Sequence, residues 1–219
     1  MKIAILGYGK MGQAIEKIAL ERGHEVVLKT NSQNPAETAD FSAVEVAIDF
    51  STPDTAFSNI SSALTKGVPV ISGTTAWLEK QTEAEQLAIN NNTAFLYASN
   101  FSIGVNLFFE LNKKLAQLMN KHEQYQAKMK EIHHIHKLDA PSGTAISLAE
   151  DMQGDVNIES ERTGEVPGTH IITYQSDIDS IEIKHEAHNR QGFALGAVLA
   201  AEWIKDKKGV FSMSDMLNL

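Results

Sequence analysis

The sequence contains no cysteine. That excludes disulfides and thiolate metal sites and fits a reducing compartment, so a cytoplasmic location is expected. It also lacks any apolar run near the roughly 18–20 residues that cross a bilayer, so no membrane span is expected. The opening MKIAILGYG is too short an apolar run for a signal peptide and leads straight into glycines. Positive charge is scarce: 19 Lys and Arg face 28 Asp and Glu, a net charge of -9. A general binder of nucleic acid or anionic membrane is therefore not expected. No internal repeat or low-complexity linker interrupts the chain. What remains is globular material, 42% hydrophobic over 219 residues, enough for one large domain or two small ones with a core. Any anion must be held by a local arrangement of donors, and it is such arrangements that the chain has to offer.

The first is at the start. The apolar run Ile3 to Leu6 reads as a strand buried on both faces. Gly7, Tyr8, Gly9, Lys10, Met11 and Gly12 follow, and then Ala14, Ile15, Ile18 and Ala19 at helical spacing. In this G-x-G-x-x-G pattern the first glycine permits the tight turn. The second lets a pyrophosphate approach the backbone, and the third lets helix pack on strand. Free amides and the dipole at the helix start favour the phosphates. Strand, glycines and helix in that order point to a dinucleotide such as NADPH or NADH. The next strand, HEVVLKT, ends in Lys29, Thr30 and Asn31, where an NAD-preferring site commonly has an acid. Their donors suit a 2′-phosphate, which tilts the expectation towards NADPH. Lys29 may equally be read as a solvated lysine at a strand end.

Three further apolar runs end in small polar residues. VEVAIDFSTP ends at Phe50 to Pro53, GVPVISGTT at Gly73, Thr74 and Thr75, and TAFLYASNF at Ala98, Ser99, Asn100 and Phe101. Residues just beyond strand carboxyl ends can line a cofactor in an open α/β sheet. Helical stretches between the runs, Asp54 to Lys66 and Leu78 to Asn91, predict an α/β, Rossmann-like, doubly wound parallel sheet. After Asn106 the pattern changes. LFFELNKKLAQLM reads as an amphipathic helix, QAKMKEIHHI as a strand, and THIITYQS and SIEIKHEA as antiparallel strands. This second, smaller α+β domain is expected to span 102–189. Residues 1–101 and 190–219 would form the dinucleotide-binding domain, with the helix FALGAVLAAEWIKDK packing back on it.

The second arrangement is HHIHKLDAPSGTA, His133 to Ala145. Zinc on His133, His134 and His136 is one reading, but adjacent strand residues face opposite sides, so no metal is expected. Surface histidines at a strand end are a second reading. The third is a site that binds an anion and moves a proton. Lys137 and the histidines bring charge and exchangeable protons. Ser142, a predicted N-cap, with Gly143 and Thr144 would offer helix-start amides to a carboxylate. Only the third reading accounts for both halves of the stretch.

EIHHIHKLDAPSGTA resembles the signature of the bacterial 4-hydroxy-tetrahydrodipicolinate (dihydrodipicolinate) reductases. GYGKMG, AIDFSTP, GTT, ASNFSIGVN, RTGEVPG and FALGAVLAAEW resemble that family's other motifs, in its order, so the resemblance spans the chain. It implies reduction of a small dicarboxylate by NADPH or NADH, with loss of water, in lysine and diaminopimelate synthesis, by a homotetramer. By the family pattern His133 and Lys137 would handle protons, and His134, Gly143 and Thr144 would bind the substrate carboxylates. Gly7 to Gly12, Gly73 to Thr75 and Ala98 to Phe101 would hold the cofactor. The chain departs from the pattern at Ile135, where many members carry a basic residue that Arg190 would partly replace. Its glycine loop is one residue shorter, and it is shorter than typical members after the second strand and between Gly168 and Ile181. Another NAD(P)-dependent reductase or amino-acid dehydrogenase, or an NADPH sensor without turnover, would share the first half. Neither has reason to keep the His133, Lys137, Gly143 and Thr144 set.

Overall fold

Four consecutive buried side chains decide the first element. In β1 (Lys2–Leu6), Ile3 and Ile5 enter one core while Ala4 and Leu6 enter another, which is possible only in a sheet covered on both faces. A computed structural model describes residues 1–152, 154, 156–189 and 191–219. After β1 come α1 (Lys10–Glu21), β2 (Glu25–Thr30), β3 (Val46–Asp49), α2 (Pro53–Thr65), β4 (Val70–Ser72), α3 (Gln81–Asn90) and β5 (Ala94–Tyr97). Pro53 opens α2, where its missing N–H is harmless and its fixed φ suits a first turn. The chain continues with α4 (Ile103–Met119), β6 (Gln126–His133), α5 (Gly143–Glu150), β7 (Ile158–Arg162), β8 (Gly168–Gln175) and β9 (Ser180–Ala187). It closes with α6 (Gln191–Ile204), β10 (Gly209–Phe211) and α7 (Met213–Leu217).

These elements form two compact units, 1–103 with 191–219, and 104–190. The first is the Rossmann-like unit, a parallel six-stranded sheet in the order β10-β5-β4-β3-β1-β2. Helices α1 and α6 cover one face, and α2 and α3 the other. Helix α6 is apolar nearly all round and packs on α1. A Cβ on its Gly196 would collide with the Phe101 carbonyl, so only glycine allows that approach. Pairing of Leu6 with both Thr30 and Asp49, and of Ser72 with both Asp49 and Tyr97, brings the carboxyl ends of β1 to β5 level. The order of strands reverses between β1 and β3, and ligands gather outside strand ends at such a point.

The second unit is a mixed four-stranded sheet in the order β7-β6-β8-β9. β8 and β9 pair antiparallel as their alternation predicts. β7 runs parallel to β6 and was not foreseen; its polar IESER has no apolar alternation to mark it. The short β10 and α7 were missed as well, because three residues of strand give too little pattern. The unit's core gathers Phe108, Met129, Leu148, Ile172 and Tyr174. Among the described residues no helix is long and apolar enough to cross a membrane.

Candidate active site

The glycine turn is built as its spacing predicts. Gly7 has φ +94°, and a Cβ there would lie 2.6 Å from the Ser51 Cα. A Cβ on Gly12 would strike the Gly7 carbonyl and come 3.1 Å from Ile5, so α1 can pack here only on a glycine. At Gly9, by contrast, a Cβ would meet no protein atom within 4 Å. Protein packing therefore makes no demand for glycine at that position, and the backbone there is open to the approach of a ligand. A cavity of about 500 Å³ borders Gly7 and Gly9 and is walled by Thr30, Asn31, Ser32 and Glu37. A second, of about 340 Å³, is lined by Gly9, Lys10, Met11, Phe50, Gly73, Thr74 and Thr75. An open backbone at a helix start, with two adjoining hollows beyond the strand ends, fits a dinucleotide.

Other predicted cofactor residues have different surroundings. Lys29 pairs with Glu16 at 2.6 Å and lies 4.7 Å from the Tyr8 ring centroid, while the Tyr8 hydroxyl also donates to Glu16. Neither Lys29 nor Tyr8 is among the residues walling the two hollows. The same holds for Ala98, Ser99, Asn100 and Phe101. Ala98 continues the sheet by donating its N–H to Ser72 O, and Asn100 Oδ1 caps the Ser102 amide. Phe101 is buried, with its ring 5.7 Å from that of Phe50. The turns are tied together by a residue that sequence reasoning passed over, Asp49 at the end of β3. Its fully buried carboxylate accepts from Ser51 Oγ, Ser72 Oγ, Thr74 Oγ1 and Asn59 Nδ2 at 2.7–3.4 Å. Thr74 Oγ1 in turn accepts the Ser51 amide at 2.8 Å. Burial pushes the Asp49 carboxyl up, and the four neutral donors only partly oppose it.

In the second unit β6 ends at His133, and Ser142 caps α5 by accepting from the Ala145 amide at 3.2 Å. A buried carboxylate joins the two. Glu131 lies two residues before His133 and so shares its strand face. Glu131 Oε1 accepts from the Ser142 amide at 3.1 Å, Ser160 Oγ at 2.8 Å and Arg162 Nη2 at 2.9 Å. Its Oε2 is 3.3 Å from His133 Nδ1 and 3.9 Å from His170 Nε2. Burial works against the charge, yet the bonds from Ser142, Arg162 and Ser160 hold the Glu131 carboxyl at about 2. Burial also lowers His133, which Glu131 opposes, and pushes His170 down to about 4.

Two family profiles match this chain: the dihydrodipicolinate reductase N-terminus over residues 1–101 and the C-terminus of the same family over residues 104–217. The chain belongs to the dihydrodipicolinate reductase family. It is 47% identical to a 4-hydroxy-tetrahydrodipicolinate reductase of Christiangramia forsetii, covering 100% of this chain and 98% of that one. A reductase of the same name from Thermosipho africanus is 36% identical over 99% of this chain and 98% of its own. A dipicolinate-bound dihydrodipicolinate reductase from a Paenisporosarcina species shares the fold, with TM-score 0.77, 23% identity and 97% of each chain covered.

The rest of the family signature forms a loop pinned to the turn after β7. Thr163 donates to His133 O at 2.9 Å and Ile135 to Gly164 O at 3.1 Å, which accounts for the RTGEVPG motif. Lys137 Nζ is held by Asp139 at 2.8 Å. The His134 and His136 rings lie 6.1 Å apart, and His136, exposed, pairs with Glu165 at 3.2 Å. The three histidines of the signature thus part company, and His133 is grouped instead with Glu131 and His170. Glu131 had a legible signal in its i, i+2 spacing. His170 had none, since only the β6–β8 register sets it opposite Glu131. Gly143 opens α5, and a Cβ on it would meet nothing within 4 Å. Ile135 is exposed, and Arg190 lies outside the described residues.

Proposed function

We propose that this chain reduces 4-hydroxy-tetrahydrodipicolinate to tetrahydrodipicolinate with loss of water, as a cytoplasmic enzyme of lysine and diaminopimelate synthesis. The observation that carries the reading is the single carboxylate of Glu131 linking the His133 imidazole to the amide that starts α5. Proton handling and anion binding are thereby joined in one buried network, which a nucleotide sensor does not need.

Bound at Gly7 to Gly12 and Gly73 to Thr75, a nicotinamide cofactor supplies a hydride equivalent. The residues of the second unit do the rest. Gly143 and Thr144 offer helix-start amides, with Ser142 fixing the turn, to the carboxylates of a dianionic substrate, and His134 is a further donor for them. Reduction of the unsaturated ring builds negative charge that a proton must quench. His133 and Lys137 are the groups that handle that proton, Lys137 being held in place by Asp139.

For the cofactor, Lys29 is neutralised by Glu16, and the Glu37 carboxylate stands on the wall of the larger cavity. Both disfavour an extra phosphate and favour ribose hydroxyls, so NADH is accepted at least as well as NADPH. The oligomer implied by the resemblance would use β9, an edge strand with Ile181 exposed. The deciding experiment is an assay with freshly generated substrate that follows cofactor absorbance with NADH and NADPH in turn. Oxidation dependent on substrate supports the reading; tight nucleotide binding without oxidation favours the sensor.

A further inference from the structure

We propose that Glu131 is a positioning residue for this reaction: its Oε2 fixes the His133 imidazole in the Nδ1–H tautomer, while its Oε1 holds the start of α5. One carboxylate would then set both the proton-handling group and the carboxylate cradle. The inference rests on the function proposed above and assigns a residue that touches neither substrate nor cofactor.

The geometry leads there by elimination. Glu131 is fully buried, and its Oε1 already accepts three bonds. Its Oε2 and His133 Nδ1 lie 3.3 Å apart, and neither has a hydrogen-bond partner among the described residues. A buried carboxylate oxygen facing an unprotonated nitrogen would set lone pair against lone pair. A proton on Nδ1 turns the same contact into an attraction, so the neutral ring carries its hydrogen there. Nε2 is left with the lone pair. It points to Gly168, where a Cβ would lie 3.2 Å away and cover it. A ring held by a carboxylate at one nitrogen, with the other uncovered, is poised to take and return a proton.

The charged groups around the pair are Arg162 of β7, His170 of β8, and Lys137 and Asp139 in the loop after β6. His185 of β9 adds to the field at His170. Arg162 meets the charge of Glu131 at 2.9 Å, which explains how a buried carboxylate stays ionised beside two histidines. The ligand atoms of Glu131, His133 and His170 lie within 4.8 Å of one another, a spacing a metal ion could use. A dication there would sit beside the guanidinium, so the cluster is read as a proton-positioning device.

The test uses the full-length protein labelled with ¹⁵N-histidine, the His133 signal being assigned with His133→Gln. Long-range ¹H–¹⁵N correlation near pH 8, where an ordinary histidine is neutral, is expected to show the Nδ1–H form of His133. Glu131→Gln should turn it towards Nε2–H. In the assay, Glu131→Gln should lower kcat by roughly 10–100-fold with the cofactor KM unchanged. It should also move the acidic limb of the kcat/KM profile to lower pH, because a charge favouring the imidazolium is gone and the neutral ring persists further down. Glu131→Asp should restore part of both. A wild-type His133 in the Nε2–H form overturns the proposal, even if the variants fail to fold. So does a Glu131→Gln profile superimposable on wild type at reduced kcat, or stoichiometric zinc that captures Nδ1. Absence of substrate-dependent oxidation in the wild type would instead remove the reductase reading, and the tautomer would still report on Glu131.

Discussion

Among the described residues each unit buries one carboxylate completely, and the two behave oppositely. Asp49 is surrounded by neutral hydroxyls and an amide, and its carboxyl is pushed up; Glu131 has Arg162 and is held at about 2. At Asp49, the more deeply enclosed of the two, burial outweighs four neutral hydrogen bonds, whereas at Glu131 burial costs less and the bonds from Ser142, Arg162 and Ser160 prevail. The difference fits the work of each unit. In the Rossmann-like unit the acid ties strand-end turns into a fixed shape. In the smaller unit it sets a negative charge beside the imidazoles of His133 and His170.

The contrast can be broken or sharpened by measurement. The largest effect is expected from Lys137→Ala, which should lower kcat by roughly 10²–10⁴-fold while nucleotide affinity, measured by fluorescence titration, stays the same. Near-normal turnover would take Lys137 out of the chemistry. Next, Glu131→Gln leaves the half-buried Arg162 without its counter-charge and should cost about 1.5–3 kcal/mol in denaturant unfolding. Asp49→Asn, which removes no paired charge, should cost about 1–2 kcal/mol. Equal costs would show that the two carboxylates are held alike.

Gly12→Val should weaken nucleotide binding at least roughly tenfold, by forcing α1 off the Gly7 turn. It should leave the ¹⁵N signals of His133 and His170 in place, and a shift there would mean the units do not behave separately. The smallest effect concerns pH. His170 is lowered to about 4, so its neutral form stabilises the fold above the ordinary histidine range, and that contribution is lost as pH falls towards 4. Between pH 7 and pH 5 the loss should be about 2 kcal/mol in urea unfolding, and it should shrink in His170→Asn. Glu131 adds a further loss only below about pH 4.5, where the unfolded chain begins to take up its proton.

Much of this was readable in the chain because it depends on local patterns. A run of four apolar residues, a glycine triplet and a helical repeat made β1, the turn and α1 predictable. Ser142, an N-cap residue ahead of Gly143, Thr144 and Ala145, marked the start of α5. Lys29 at its strand end looks unpaired in the sequence, and only the fold shows Glu16 of α1 beside it. β7 stayed hidden because its pairing with β6, not any alternation of its own, makes it a strand.

The sequence by itself determined the alternation of strands and helices in the first unit, the place of the glycine turn and the clustering of titratable groups in one short stretch. These follow from backbone sterics and from side-chain periodicity, which act over a few residues. Tertiary structure decided which of those groups meet. It set His170 opposite Glu131 by strand register, brought Arg162 in from β7 and left His136 outside. The charge state of a buried acid depends on what the fold packs around it, and no neighbour in the chain can report that.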